Sequence, residues 1–84
     1  RTMAAGQPTI LVVDDEAEIV DLMRDYLEAE GFAVLAAGDG PTALVALDRN
    51  VVDGVLLDVM MPGPSGFDVL RRIRERGDVP VLVL

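Results

Sequence analysis

The sequence predicts an α/β fold, in which helices pack on both faces of a doubly wound parallel sheet. Short apolar runs alternate with amphipathic stretches from residue 9 onward, in the order β-α-β-α-β-α-β. The apolar runs are rich in β-branched residues and lack polar alternation, which is typical of strands covered on both sides. The stretches between them are long enough for crossover helices, which join parallel strands with right-handed connections.

The first strand and helix have the clearest pattern. Residues 9–13 are apolar, and the run stops at Asp14. Apolar residues then recur at helical spacing, which predicts a helix of about four turns. Its inner face is predicted to consist of Ile19, Val20, Met23, Tyr26 and Leu27. We therefore expect Tyr26 in the core, and Gly31 as the residue that ends the helix.

The middle of the chain repeats this alternation. Residues 32–37 predict a second strand, and Pro41 follows turn residues at a position suited to the first turn of a helix. That helix is predicted to reach about Asn50. Residues 54–58 then form a third apolar run, which ends in Asp58. Two predicted strands therefore finish in aspartate.

The last part of the chain contains a loop, a helix and a strand. Two prolines make residues 60–66 irregular, and Ser65 is predicted to cap the helix that follows. The apolar face of this helix is predicted to be Phe67, Leu70 and Ile73, with four arginines, Arg71, Arg72, Arg74 and Arg76, on its solvated outer face. Gly77 ends the helix, and residues 79–84 predict the fourth strand.

Three carboxylates are predicted to meet at one edge of the sheet. Ligands of open α/β sheets bind outside the carboxyl ends of strands where the strand order reverses. If the first strand lies beside the third, Asp14, Asp15 and Asp58 come together there. Unpartnered carboxylates would repel one another, and Mg²⁺, which prefers oxygen ligands, would remove that repulsion.

Asp58 is the predicted nucleophile of this site. An aspartate carboxylate is ionised at neutral pH, so it can attack phosphorus without a general base. Asp58 stands alone ahead of a loop, whereas Asp14 and Asp15 are adjacent and can share a cation that neutralises the transferring oxygens. The plainer alternatives are an acid cluster that complements a helix dipole, and an Asp58 that caps a turn.

Composition excludes several classes of function. The chain has 15 acidic and 7 basic residues, a net charge of −8, which argues against binding of a nucleic-acid backbone. It has no cysteine, histidine or lysine, which excludes disulfides, a histidine-based triad, a Schiff base and a Walker loop. Its apolar runs are too short to cross a membrane. We expect a cytoplasmic protein.

The sequence closely resembles the receiver domain of bacterial two-component response regulators. The resemblance is carried by residues 10–16, by residues 56–62, and by Gly66, which closes a Met-Pro-x-x-x-Gly turn. It implies the flavodoxin-like strand order 2-1-3-4. It also implies that Asp58 accepts a phosphoryl group from a sensor histidine kinase, and that Mg²⁺ is the cofactor. The implied metal ligands are Asp15, Asp58, the Met60 carbonyl and, largely through a water, Asp14.

The same resemblance implies a signalling switch that controls an output domain, which we expect to be transcriptional, rather than a turnover enzyme. A phosphohydrolase of the haloacid dehalogenase type and a non-phosphorylated interaction module are the alternatives. Two features disfavour the phosphohydrolase. That family uses Asp-x-Asp after its first strand, where Glu16 takes the place of the second acid, and it uses a lysine that this sequence lacks.

Two departures from the receiver pattern affect the domain assignment. Pro64 and Ser65 replace the commoner Met-Asp of the loop, and the Ser or Thr after strand 4 and the Lys after strand 5 are not present. We therefore expect residues 9–84 to be the N-terminal portion of a receiver, without strand 5 and helices 4 and 5, and residues 1–8 to be a flexible tail or cloning remnant. Strand 4 would then be an apolar edge, so we expect either that this chain is part of a longer protein or that it forms an edge-paired or domain-swapped homodimer.

Overall fold

The computed structural model describes residues 6–61 and 66–84. Its elements are β1 (Thr9–Val13), α1 (Ala17–Ala29), β2 (Ala33–Ala37), α2 (Gly40–Arg49), β3 (Gly54–Leu57), α3 (Gly66–Arg76) and β4 (Val81–Val83). All strand pairs are parallel, and the order is β2-β1-β3-β4. The predicted α/β class and strand order are confirmed. The predictions for the Pro62–Ser65 loop, including the Ser65 cap, and for residues 1–5 lie outside the described residues.

Strand β1 pairs with β2 on one side and with β3 on the other. The chain therefore adds β2 on one side of β1 and the later strands on the opposite side. Helix α1 connects β1 to β2, whereas α2 and α3 connect strands in the opposite direction across the sheet. Right-handed crossovers in opposite directions lie on opposite faces, so α1 covers one face and α2 and α3 the other. The strand order therefore reverses at the carboxyl ends of β1 and β3.

The core lies mainly between the sheet and the α2–α3 layer. Its buried members are Leu11, Val13, Ala37, Ala43, Val55, Leu57, Met61, Val69 and Ile73. Burial of each large aliphatic side chain contributes about 1.5–3 kcal/mol. Helices α2 and α3 approach closely at Gly40, where a Cβ would lie 2.6 Å from Val69 Cγ2. Helix α1, by contrast, has no fully buried residue.

Two aromatic side chains were predicted incorrectly. Tyr26 is 68% exposed and Phe67 is 63% exposed, although the helical spacing assigned both to inner faces. Each lies at the margin of an apolar stripe, where a helical pattern cannot tell a buried residue from its exposed neighbour. Half-buried residues such as Met23 and Leu27 hold α1 against the sheet, whereas α3 packs on the core through its buried residues Val69 and Ile73.

Element boundaries differ slightly from the predicted ones. Strand β4 begins at Val81 rather than at residue 79, and β3 ends at Leu57, so Asp58 belongs to the loop that follows. Gly31 ends α1 as predicted, with a positive φ of 94° that favours glycine. Pro41 lies in the first turn of α2, also as predicted.

Short polar contacts fix the ends of several elements. Asp39 is the N-cap of α2, and its Oδ1 accepts a hydrogen bond from the Thr42 N–H at 2.8 Å. The Thr42 side chain, and secondly this N–H, hold the pKa of Asp39 below its usual value. The Thr9 N–H donates a hydrogen bond to Asp53 Oδ2 at 2.7 Å, and the Asp53 N–H donates one to the Thr9 carbonyl at 2.8 Å. These contacts tie the start of β1 to the turn before β3.

The arginines of α3 are exposed, as the sequence predicted. Arg71 pairs with Asp68 at 3.0 Å, and Arg76 pairs with Asp48 of α2 at 2.9 Å. The hydrogen bond from Arg76 also holds the pKa of Asp48 below its usual value. Exposed pairs of this kind add little to stability. Within the described part of the chain, the helices are all too short or too polar to span a bilayer.

Candidate functional site

The sheet places Asp14 and Asp58 at neighbouring strand ends. Val13 is paired with Leu57, and each is the last residue of its strand. The Asp58 N–H donates to the Val13 carbonyl at 3.0 Å, and the Asp14 N–H donates to the Ala37 carbonyl at 3.0 Å. Because neighbouring strands lie about 4.8 Å apart, both aspartates leave the sheet at the same level.

Asp14 is a buried carboxylate, with only 5% of its surface exposed. Its Oδ1 accepts a hydrogen bond from the Glu16 N–H at 2.9 Å, which fixes the direction of the side chain. Burial of a carboxylate is costly unless a hydrogen bond or a cation compensates for it. One backbone hydrogen bond compensates only in part, so this position favours a cation nearby.

Asp15 and Glu16 lie beside Asp14 and are both exposed. One carboxylate oxygen from each of these three residues lies within 4.8 Å of the other two. Glu16 was not predicted as a ligand, although its position directly after the aspartate pair was the available signal. It is the N-cap residue of α1, but its side chain makes no capping hydrogen bond. Capping of the helix therefore does not account for the Glu16 side chain.

Asp58 follows β3 and is partly exposed. Its Oδ1 accepts a hydrogen bond from the Met60 N–H at 2.8 Å. It is not a member of the group formed by Asp14, Asp15 and Glu16. The structure thus brings Asp58 to the same edge of the sheet, but its carboxylate bonds to its own loop.

The two methionines after Asp58 have different environments. Met61 is 8% exposed and belongs to the core. Met60 is 84% exposed, so its side chain does not pack in the core. Its main chain still bonds to Asp58. Burial of Met61 fixes one end of the segment that carries the Met60 carbonyl.

A shallow groove of about 240 Å³ opens beside the acids. It is lined by Asp14 and Asp15, by Ala17, Val20 and Asp21 of α1, and by Ala36, Ala37 and Gly38 after β2. A larger groove of about 470 Å³ lies at the opposite end of the sheet, near the Asp48–Arg76 pair. The smaller groove is the one that adjoins the carboxylates, so the chemistry indicates it as the candidate site.

The donor set at this edge fits a hard divalent cation. Every side chain involved offers carboxylate oxygens, and there is no nitrogen or sulfur donor in the sequence of the acid run. Mg²⁺ prefers such oxygens and retains several waters, which an exposed Asp15 and Glu16 allow. The buried, fixed Asp14 would orient part of that shell.

A doubly wound parallel sheet with acids at its switch point defines the class of this protein. The family model for the response regulator receiver domain matches residues 10–84. The chain therefore belongs to the response regulator receiver domain family, a family of signalling domains. This membership favours the receiver assignment over the haloacid dehalogenase alternative.

Curated relatives include two bacterial regulators. The chain is 43% identical over 76 residues to the sensory transduction protein RegX3 of Mycolicibacterium smegmatis, with 90% of this chain and 33% of RegX3 covered. It is 48% identical over 75 residues to the transcriptional regulatory protein CpxR of Klebsiella pneumoniae, with 89% and 32% covered. The chain thus spans about a third of the length of these relatives.

Solved structures with the same fold include the response regulator TrrA of Thermotoga maritima. TrrA in complex with Mg²⁺-BeF has a TM-score of 0.81 and 36% identity, with 92% of this chain and 66% of TrrA covered. TrrA in complex with the histidine kinase ThkA has a TM-score of 0.86 and 37% identity, with 92% and 67% covered. These likenesses agree with the strand order and the family.

Proposed function

We propose that this chain is a phospho-acceptor switch, which receives a phosphoryl group on Asp58 from a sensor histidine kinase. The observation that carries the proposal is the position of Asp58, level with a buried Asp14 at the reversal of strand order. The family match and the kinase-bound structure of TrrA support the same partner. In this proposal the domain is a signalling switch and not a turnover enzyme.

The transfer uses Oδ2 of Asp58. Its Oδ1 is held by the Met60 N–H, which leaves Oδ2 as the nucleophile. Oδ2 attacks phosphorus, the P–N bond to the histidine breaks, and the imidazole nitrogen leaves with the electron pair and takes up a proton. The product is an aspartyl phosphate. The partly exposed position of Asp58 gives a phosphohistidine access to this oxygen.

Asp14, Asp15, Asp58 and the Met60 carbonyl are the proposed ligands of Mg²⁺. When bound, Mg²⁺ supplies positive charge against the transferring phosphoryl oxygens. Asp15 and Asp58 would ligate it directly, and Asp14 largely through water. Glu16 lies within the same group of carboxylates and would add to the negative potential of the site. The TrrA complex with Mg²⁺-BeF supports this choice of metal.

The output of the switch is proposed to be transcriptional, because one of the curated relatives is a transcriptional regulatory protein. The cytoplasm remains the predicted compartment. Pairing of a second copy at β4 also remains a prediction. Sedimentation tests this pairing, because a stable monomer of this segment at all concentrations would contradict it.

Incubation with acetyl phosphate and Mg²⁺, followed by intact mass measurement, tests the phospho-acceptor. We expect the mass gain of one phosphoryl group, stable in acid and labile in base. Asp58→Asn should remove the gain, because the amide is not a nucleophile. Asp25→Asn, which neutralises an exposed acid on α1, is the matched control and should retain it.

Two other outcomes would overturn the proposal. Sustained release of phosphate from a substrate would indicate a phosphohydrolase. If neither this chain nor a longer natural chain that contains it gains mass with any donor, the interaction-module hypothesis holds instead.

A further inference from the structure

The outer edge of β2 presents main-chain groups that the sheet does not use. The Ala33 N–H donates to the Pro8 carbonyl at 2.9 Å, and the Ala37 carbonyl accepts from the Asp14 N–H. Because main-chain direction alternates along a strand, Ala33, Leu35 and Ala37 face β1. Val34 and Ala36 therefore turn their N–H and C=O groups away from the sheet.

The sequence of β2 does not protect this edge. Its five residues, Ala-Val-Leu-Ala-Ala, include no charged residue and no proline. Natural edge strands usually carry such residues, because a row of unused main-chain groups is a template for another strand. Ala36 is exposed, and its small side chain would not hinder a second strand. The residues of β2 therefore do not supply the protection that other edge strands carry.

Arg24 of α1 reaches this edge. Its Nη1 donates a hydrogen bond to the Val34 carbonyl at 3.3 Å, and the side chain is partly buried. The carbonyl it contacts is one of the two that face outward from β2. Among the described residues, Arg24 is the charged side chain that donates a hydrogen bond to an outward carbonyl of β2. The guanidinium thus occupies an acceptor that a pairing strand would need.

We propose that Arg24 closes the β2 edge against pairing with β2 of a second copy of this chain. A two-fold pair of β2 strands is antiparallel and self-complementary, because each copy offers the same alternating groups at Val34 and Ala36. With Arg24 in place, the incoming strand must displace a charged donor and leave it without its acceptor, which is unfavourable. This function of Arg24 is separate from the phospho-acceptor role of Asp58.

The occupant is a second copy for two reasons. The edge has no side chains that would select a particular foreign sequence, so its complementarity lies in the main chain. A C2 pair satisfies both outward residues of each copy with the same residues of the other, and it closes after two chains.

Replacement of Arg24 by methionine tests the proposal. Arg24→Met keeps an unbranched apolar stem and loses the guanidinium. Arg72→Met is the matched control, because it removes the same charge from an exposed position on α3, on the other face of the sheet. Sedimentation over a range of concentrations measures association. Hydrogen exchange, resolved by residue with NMR, locates it.

We expect Arg24→Met to associate about a hundredfold more strongly than the parent, because pairing displaces about one hydrogen bond in each of the two copies and each is worth about tenfold. Arg72→Met should behave as the parent. Exchange of the Val34 and Ala36 amides should slow as the concentration of Arg24→Met rises, because these N–H groups acquire partners. Unchanged association, or association without protection of these two amides, would overturn the proposal.

A second substitution tests the location of the pairing independently. Ala36→Pro removes one outward N–H without loss of a bond to β1, so Arg24→Met with Ala36→Pro should return to the association of the parent. Continued association of the double variant would contradict pairing through β2. If circular dichroism shows that Arg24→Met is unfolded, Arg24→Gln replaces it, because the glutamine side chain is too short to reach the Val34 carbonyl. If both are unfolded, Arg24 is needed for folding, and the proposal fails.

Discussion

Individual carboxylates at the candidate site differ in what holds them. Asp14 is buried and fixed by the Glu16 N–H, and Asp58 is fixed by the Met60 N–H. Asp15 is exposed, and no hydrogen bond from the described residues fixes its carboxylate. Without a cation, the Asp15 carboxylate therefore repels those of Asp14 and Glu16. With a cation bound, the same carboxylate attracts it.

Asp15→Asn should consequently have opposite effects with and without metal. Without Mg²⁺, loss of repulsion from its neighbours should raise the free energy of unfolding by about 0.5 kcal/mol, the scale of two exposed charges at this distance. With Mg²⁺, the stabilisation shown by the parent should be largely lost. Urea unfolding in EDTA and in Mg²⁺ measures both quantities.

Asp25→Asn is the control for this change in charge. It removes one negative charge from the exposed surface of α1, outside the group of Asp14, Asp15 and Glu16. The parent response to Mg²⁺ should be retained in this variant. An Asp15→Asn protein that responds to Mg²⁺ as strongly as Asp25→Asn would exclude Asp15 as a ligand.

At the scale of elements, the start of α3 supports the loop that carries Asp58. Gly66 is buried, and a Cβ at this position would overlap Val59 Cα and would lie 2.9 Å from the Val59 carbonyl carbon. These are main-chain atoms between Asp58 and Met60, so they cannot rotate away as a side-chain tip would. The close approach of α3 thus sets the position of the site's main chain.

Gly66→Ala should lower the free energy of unfolding by about 1–3 kcal/mol, the usual cost of overpacking, and should slow phosphorylation by acetyl phosphate. The physical reason is the forced movement of Val59, which displaces the Met60 N–H from Asp58. Gly38→Ala is the matched control, because no atom lies within 4 Å of a Cβ there. Equal phosphorylation rates in the two folded variants would contradict this role of Gly66.

The N-cap of α2 gives stability a dependence on pH. Hydrogen bonds from Thr42 lower the pKa of Asp39 in the folded protein, so the folded state binds this proton less readily than the unfolded state. The contribution is therefore present above the usual value of 3.8 and is lost as the pH falls through the lowered pKa. Asp39→Ala should be less stable than the parent at pH 7, with a smaller difference at about pH 3.

Asp39→Asn separates capping from titration. Asparagine also caps helices but does not titrate, so it should remain close to the parent at pH 7 and keep its cap at low pH. Denaturant unfolding of the three proteins at both pH values measures the effect. An Asp39→Ala deficit of equal size at both pH values would show that the ionised carboxylate is not responsible.

Element type and order could be predicted from sequence because burial leaves a periodic pattern. The runs before Asp14 and Asp58 were visible as uninterrupted apolar segments, and the two terminal acids indicated the site. The pattern could not give the exposure of Tyr26 and Phe67, which depends on how far each helix is rotated against the sheet. Nor could it give the role of Arg24, which depends on where α1 lies relative to the β2 edge.

For the molecule as a whole, a net charge of −8 makes any cation stabilising to some extent. A specific site must therefore be separated from general screening. A ligand that binds only the folded state stabilises it by mass action, by about 2.7 kcal/mol at one hundred times its dissociation constant. Screening by a monovalent salt follows ionic strength and does not saturate in this way.

Titration with MgCl₂ and with NaCl at equal ionic strength should accordingly give different stability curves. We expect the free energy of unfolding to rise with Mg²⁺ concentration and, at high concentration, to increase with its logarithm. The rise with NaCl should be smaller. Asp58→Asn should reduce the difference between the salts, because it removes a proposed ligand, while Asp25→Asn should preserve it. If the two salts give the same curve for the parent, Mg²⁺ acts by screening alone, and the acids at the ends of β1 and β3 do not form a metal site.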